Sequence, residues 1–356
     1  QELSRRPYQV LSTLYHLNRF FMQNAEYDNF DPQKHTLEWA LGEKQLKNPD
    51  HWLLTRLQGN IEEYTARLET CGFNFALVTL EDCVIDATSR MYVPMVRKEL
   101  WSDDPETLNR RLAVYATLWH VLKTVTLLFN PVTPYLSEAL YQKVYRKLSP
   151  MLLESVNLES WPKPDEKVRN KRLEEEFQTL FKCVSLVYSA RQSAKLKRRW
   201  PLKRMVVVAP EEVCAALKNV EELFLELANV KKVEFGHKVP EYASSEEGGS
   251  ASEDNVQVFL DAHRDEGLLG EGLMRDLARR VQSLRKELGY VPTDVLDAVY
   301  IAELEDESIR LLKPYMEEMK ELVRAKNVYL HGRREGIEAK WHEYQLDEKK
   351  IYIAIP

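Results

Sequence analysis

Catalytic and cofactor signatures are missing from this chain. It has no GxGxxG dinucleotide turn, no GxxxxGK[ST] phosphate loop, no GxSxG nucleophile elbow and no HExxH metal pair. Its four cysteines (Cys71, Cys83, Cys183, Cys214) include no CxxC spacing, which excludes a disulfide scaffold and a cysteine-ligated zinc. They read instead as small buried hydrophobes of a reducing, cytoplasmic protein. His16, His35, His51 and His120 stand singly, as packing or surface residues do. No apolar run reaches the ~20 residues of a membrane span, and no signal-peptide pattern opens the chain. An initiator methionine is absent too. The chain starts at Gln1 in helix-compatible sequence, as expected of a piece of a longer polypeptide. Positive charge is in short supply: 50 Lys and Arg against 56 Asp and Glu leave a net charge of −6. Indiscriminate polyanion binding is thereby disfavoured, and any basic patch must be local and oriented to matter. The carboxylates sit mostly at i,i+4 spacing with lysines and arginines, the pattern of solvated helix faces.

What is present is a globular composition, 44% hydrophobic and 10% aromatic. At 356 residues it predicts two or three domains, because single cores rarely grow past ~250–300 residues. The fold class expected is multidomain, α followed by α+β. Residues 1–160 read as an antiparallel helical bundle, 161–250 as a connecting helix with an α/β junction, and 251–356 as a C-terminal α+β domain. In the first part, Val10, Leu14, Leu17 and Phe21 recur at helical spacing. A second helix opens at Asn48-Pro49-Asp50 and carries Leu54, Leu57, Ile61, Tyr64 and Leu68. A third holds Leu77, Leu80, Val84, Ala87 and Met91, with a kink predicted at Pro94. Helices over Pro105–Phe129 and Thr133–Leu148 complete the set. Their near-heptad spacing is the packing habit of bundles.

Residues 150–165, with three prolines and no period, read as a connector, and a long helix follows from about Lys167. At Trp200-Pro201 the period changes from helical to strand. Strands are then expected at Met205–Val208, Lys232–Phe235 and Val256–Leu260, with a helix over Glu211–Leu227. The acidic stretch 241–254 reads as a mobile loop. After a helix over Gly267–Leu288, strand, helix and further strands recur to Ile355. An echo runs through this half. NVKKVEFG (229–236) and NVQVFLD (255–261) are answered by KNVYLHG (326–332) and KIYIAIP (350–356), at offsets of about 93 to 95 residues. Two similar βαββ units flanking the 267–288 helix are therefore expected, and a different strand order in the two would exclude the idea.

Two places stand out for binding. Residues 191–204 hold seven basic side chains (Arg191, Lys195, Lys197, Arg198, Arg199, Lys203, Arg204) around Trp200 and Pro201. Charge runs usually coat a solvated face. This one lies where the fold changes, and Trp200 is a candidate stacking face for an unpaired base. The second is the 267–288 helix, whose apolar stripe of Leu273, Leu277, Val281, Leu284 and Leu288 opposes Arg275, Arg279, Gln282 and Lys286, flanked by Arg280 and Arg285. Such a face suits a phosphate backbone.

At this point the sequence resembles a known family. DHWLLTRL (50–57), YVPMVRKELW (92–101) and NPVTPYLSEALYQ (130–142) are similar to segments of the anticodon-binding helical bundle in class I aminoacyl-tRNA synthetases of the isoleucine, valine, leucine and methionine group. In the second of these, Arg97 and Trp101 match, whereas Lys98 is out of register with the group's second arginine. KLKRRWPLKRMVV (195–207), ELANVKKVEF (226–235) and EGLMRDLARRVQSLRKELGYVPTD (271–294) resemble the C-terminal part of isoleucyl enzymes of archaeal and eukaryotic-cytosolic type. The cysteine spacing departs from the zinc-binding bacterial isoleucyl enzymes, and the closing strands depart from the coiled coil of valyl enzymes. The resemblance implies tRNA(Ile) as partner, without its catalytic HIGH and KMSKS motifs or an editing domain in this sequence. It implies a cytoplasmic monomer with no membrane association, and a parent ligase using ATP and magnesium; this segment itself needs no cofactor and holds no catalytic residue or metal. Arg19, Arg97 and Lys98 are expected to meet the anticodon stem. Lys195, Lys197, Arg198, Arg199 and Trp200, with Arg275, Arg279 and Lys286 as further backbone contacts, are expected to grip its loop. The same region of a valyl enzyme, or a helical scaffold with no RNA partner, are the competing readings.

Overall fold

The computed structural model describes residues 2–100, 104–236, 239, 248–291, 294–334, 340–346 and 349–355. The chain divides into two compact units, Gln1–Phe177 and Gln178–Pro356.

The first unit is helical: α1 Glu2–Tyr27, α2 Leu37–Gly42, α3 Asn48–Glu69, α4 Phe73–Glu81, α5 Val93–Leu100, α6 Leu108–Phe129, α7 Pro134–Leu140 and the first turns of α8 Lys171–Ser193. The apolar spacing read from sequence becomes its core: Val10, Leu14, Leu17, Phe21, Leu54, Leu57, Ile61, Tyr64, Leu80 and Val84 are all buried. The kink expected at Pro94 takes the form of a π-helical segment, Asp82–Tyr92, linking α4 to α5. There Val93 N–H reaches back five residues to Thr88, and the Thr88 hydroxyl bonds the Cys83 carbonyl at 2.7 Å. The wider turn brings the chain to a proline that has no N–H to give. A second π segment, Tyr141–Arg146, extends α7. Helix α6 is long and apolar enough to cross a membrane by length and composition, but most of it is buried inside the unit. It also carries Arg110, paired with buried Asp50 at 2.7 Å, and Arg111, which donates twice to Asp28 at 2.8 and 2.9 Å. The Tyr92 hydroxyl donates to the same Asp50 at 2.6 Å, so the buried charge is fully engaged.

The connector is pinned rather than loose. Trp161 stacks on Tyr64 with centroids 6.1 Å apart, its Nε1 donates to the Thr65 hydroxyl, and Asp165 N–H donates to Gln58. Three prolines remove regular hydrogen bonding without removing packing. Cys83, Cys183 and Cys214 are buried, and burial pushes the Cys83 and Cys183 thiols up to about 11; Cys71 is exposed.

The second unit contains the rest of α8 and two four-stranded sheets. The first comprises β1 Met205–Val208, β2 Val233–Gly236, β3 Gly248–Glu253 and β4 Val256–Asp261, and its crossover is split into α9 Glu211–Asn219 and α10 Glu221–Ala228. Helix α11 Glu266–Glu287 leads into the second: β5 Leu296–Ala302, β6 Ala325–Leu330, β7 His342–Leu346 and β8 Lys349–Ala354, with α12 Asp306–Leu312 and α13 Met316–Val323 in the crossover. Strand orders are β2-β1-β4-β3 and β6-β5-β8-β7, the same arrangement twice. In each, the first strand pairs in parallel with the second and antiparallel with the fourth, and the third pairs antiparallel with the fourth. The repeat seen in sequence is thus a repeat of topology, and α11 belongs inside it as the counterpart of α8.

One expectation is corrected. Within the stretch 241–254 read as a loop, Gly248–Glu253 form strand β3 along β4; 241–247 lie outside the described residues. Gly249 explains the misreading, because a Cβ there would stand 2.5 Å from the Ala190 carbonyl oxygen of α8. The strand exists where its side chain is absent and the helix backbone fills the space.

Candidate nucleic-acid interface

Helix α8 stops because Lys195 takes a left-handed conformation (φ 54°), letting Leu196 N–H return to the Arg191 carbonyl at 2.8 Å. This six-to-one closure normally uses glycine. Beyond it the basic residues part company. Arg191 turns inward and is buried. Its Nη1 donates to the carbonyls of Lys197 (3.1 Å) and Trp200 (2.9 Å), and its Nη2 to those of Ala228 (2.9 Å) and Asn229 (2.8 Å). Two of these acceptors end α10, where the helix dipole favours a cation. Burial lowers the guanidinium pKa to about 10, which leaves it charged at neutral pH.

Lys195, Lys197, Arg198 and Arg199 are exposed. Arg198 lies over the Tyr188 ring at 4.1 Å, and Arg199 and Lys197 reach buried Asp276 of α11 at 3.4 and 3.9 Å. Trp200 behaves differently from expectation. It is 8% exposed, its Nε1 donates to Asp276 at 3.0 Å, and its ring fills the space where a Cβ on Gly272 would stand 2.7 Å away. Lys197 Nζ and the Arg264 guanidinium lie 5.4 and 4.8 Å from that ring. The expected base-stacking face is therefore spent on α11, and Trp200 braces the basic stretch. Its polar indole N–H and the bare Gly272 on the facing helix explain this fate.

The cationic face of α11 is likewise divided. Arg279 and Lys286 are exposed. Arg275 is half-buried, donating to Asn229 at 2.6 Å and pairing with Glu271 at 2.6 Å. Arg280 donates to the Gln345 carbonyl at 3.0 and 2.6 Å, and Gln282 to the Leu322 carbonyl. Arg285 is buried, with Nη1 on the carbonyls of Val323 (2.5 Å) and Arg324 (3.2 Å) and Nη2 on those of Val291 (3.3 Å) and Asp294 (2.6 Å). In the first unit, Arg19, Arg97 and Lys98 are exposed.

The comparisons with known proteins fit these surfaces. Residues 50–207 match the family described as anticodon-binding domain of tRNA ligase. The part of the chain so matched, residues 50–207, resembles the anticodon-binding domain of tRNA ligases. Relatives outside that stretch extend the likeness. Isoleucine–tRNA ligase of Pyrococcus furiosus is 30% identical over 97% of this chain and 36% of its own length, and that of Pyrococcus abyssi is 28% identical with the same coverage. Isoleucine–tRNA ligase of Methanopyrus kandleri is 34% identical over 67% of this chain and 21% of its own. The chain spans about a third of the length of the curated relatives it matches. The anticodon-binding match ends at Val207, so it takes in the whole basic stretch with its cap and Trp200.

Proposed function

We propose that this chain recognises the anticodon region of tRNA(Ile) as the C-terminal part of an isoleucine–tRNA ligase. The observation that carries the reading is similarity along nearly the whole chain to isoleucine–tRNA ligases, including an anticodon-binding domain. In this reading the first unit is the antiparallel bundle of class I synthetase type, and its exposed Arg19, Arg97 and Lys98 meet stem phosphates. Lys195, Lys197, Arg198 and Arg199 form the principal cationic contact, held at a fixed angle by the Arg191 knot and by Trp200 on Asp276. Arg279 and Lys286 add backbone contacts, whereas Arg275 serves mainly to fix Asn229. The parent enzyme would join isoleucine to tRNA with ATP and magnesium, working in the cytoplasm as a monomer through its own catalytic and editing domains. This chain needs no cofactor for its part. The domain division 1–160, 161–250 and 251–356 is retained as a functional one: stem docking, grip and loop reading.

The test is affinity of the full chain for isoleucine tRNA at two salt concentrations. Three or four phosphate contacts predict a loss of roughly 20- to 150-fold between about 50 and 200 mM salt. Changing Lys195, Lys197 and Arg198 together to alanine should flatten that dependence. Binding that ignores salt, or is unchanged in the triple variant, would favour a helical scaffold without RNA.

A further inference from the structure

The outer face of the second sheet carries a row of rings that neither the basic stretch nor the anticodon-binding match includes. Tyr300 of β5 sits in register with Tyr329 of β6, with centroids 5.2 Å apart and planes within 19°. His331 follows β6 and lies 6.2 Å from Tyr300 and 6.5 Å from Tyr329, again nearly parallel to both. Across β5, Ala302 is paired with Tyr352 of β8, and the Arg334 guanidinium lies 3.6 Å over the Tyr352 ring. Strand alternation puts the neighbours Val299, Ile301, Val328, Ile351 and Ile353 on the opposite face, where they join the core under α11. Tyr329 is 43% exposed, and Tyr300, His331 and Tyr352 are half-buried.

Aromatic cross-strand pairs can serve a sheet by themselves. The first sheet is an internal control against that explanation. It has the same strand order and register, yet the positions matching Tyr300, Tyr329, His331 and Tyr352 hold Val206, Glu234, Gly236 and Gln257. There the fold forms without the row of rings, with Phe259 of β4 paired to Val206 on that face instead. The second copy therefore carries a feature that its topology does not require. Cations border the rings: Arg333 is exposed, Arg334 meets Glu303 at 3.3 Å, and Lys350, on the same face as Tyr352, meets Glu343 at 2.8 Å. Exposed pairs of this kind are held weakly and can exchange a carboxylate for a phosphate.

We propose that the outer face of the second sheet, centred on Tyr300, Tyr329 and His331, stacks unpaired bases of single-stranded RNA, while Arg334 and Lys350 take the backbone phosphates. Open four-stranded sheets with aromatic side chains on one face hold two or three splayed bases in this way. The inference rests on the reading that the chain binds tRNA and adds the surface that would receive the unpaired loop.

The experiment titrates the full chain with fluorescein-labelled oligoadenylate of about ten nucleotides and, separately, with isoleucine tRNA. The variants are Tyr329→Ala, Tyr329→Leu, which keeps an apolar strand residue without a ring, and Tyr329→Phe. Loss of one stacking contact predicts a drop of about 5- to 150-fold for the alanine and leucine variants in both titrations, with phenylalanine close to the parent and unfolding temperatures unchanged. Unchanged affinity in Tyr329→Leu, or no oligoadenylate binding by the parent, overturns the proposal, and a face that takes a protein partner instead gives that same result. If the parent binds tRNA with steep salt dependence but Tyr329→Leu is unaffected, this inference falls and the proposed function stands. If oligoadenylate binding depends on Tyr329 but the anticodon of the tRNA makes no difference, the proposed function falls and the stacking surface stands.

Discussion

Arg191 and Arg285 are the two side chains on which the second unit turns back on itself. Each leaves a long helix, enters the protein and donates to four backbone carbonyls. Their acceptors correspond: 191 to 285, 197 to 291 and 200 to 294 are each 94 apart, while 228 to 323 and 229 to 324 are each 95 apart. Both knots close on a residue in the left-handed conformation, Asn229 and Arg324. Removing such a group leaves buried carbonyls unpaired, at about 1–3 kcal/mol for each one that finds no water. Arg191→Met and Arg285→Met are each expected to destabilise by about 3–5 kcal/mol in urea unfolding. Lysine should rescue only in part because a single ammonium cannot span the fork. A loss below about 1 kcal/mol in either variant would show that the knot is incidental. In sequence Arg191 looked like one more member of a basic run. Its inward turn depends on the left-handed Lys195 and on carbonyls 37 and 38 residues away, which no local pattern displays.

Among the elements, helices and strands with strong periodicity were legible: Met205–Val208 is read from sequence with the bounds it has in the fold, and Leu54, Leu57, Ile61 and Tyr64 of the α3 stripe are core. Three features were not. The π segment Asp82–Tyr92 keeps its apolar spacing close enough to helical that only Pro94 hinted at it. The crossover Glu211–Ala228 breaks at Val220, whose backbone (φ −125°, ψ 28°) leaves the helical region although its side chain continues the stripe. Strand β3 is hidden by composition, since its glycines and serines have low strand propensity and its partner β4 supplies the pairing. Gly249→Ala tests that explanation. The added methyl would meet the Ala190 carbonyl of α8 at 2.5 Å and the Ala194 Cβ, in the turn that ends α8, at 3.0 Å, and the helix carbonyl cannot yield as a flexible side chain would. A destabilisation of about 1–3 kcal/mol is expected in thermal unfolding, and Gly42→Ala, where nothing lies within 4 Å, should be nearly neutral. Equal effects at the two glycines would contradict the packing account.

For the whole molecule, the duplication and the family were both within reach of the sequence, the first through repeated strand motifs and the second through segments now matched over residues 50–207. The distribution of work among the charged and aromatic residues was not. Trp200 was expected to face a base and is buried on Gly272 and Asp276, whereas Tyr300, Tyr329 and His331 lie on an open sheet face that alternation alone did not single out. Exposure is set by what packs on each face, and that is a property of the assembled unit. The central claim, that the chain reads the anticodon region of isoleucine tRNA, is tested most directly by changing the tRNA rather than the protein. Affinity of the full chain is measured for isoleucine tRNA and for a copy in which only the last anticodon base is changed from U to C. A base read by hydrogen bonds or stacking predicts a loss of about 5- to 150-fold. Equal affinity for the two tRNAs would contradict it.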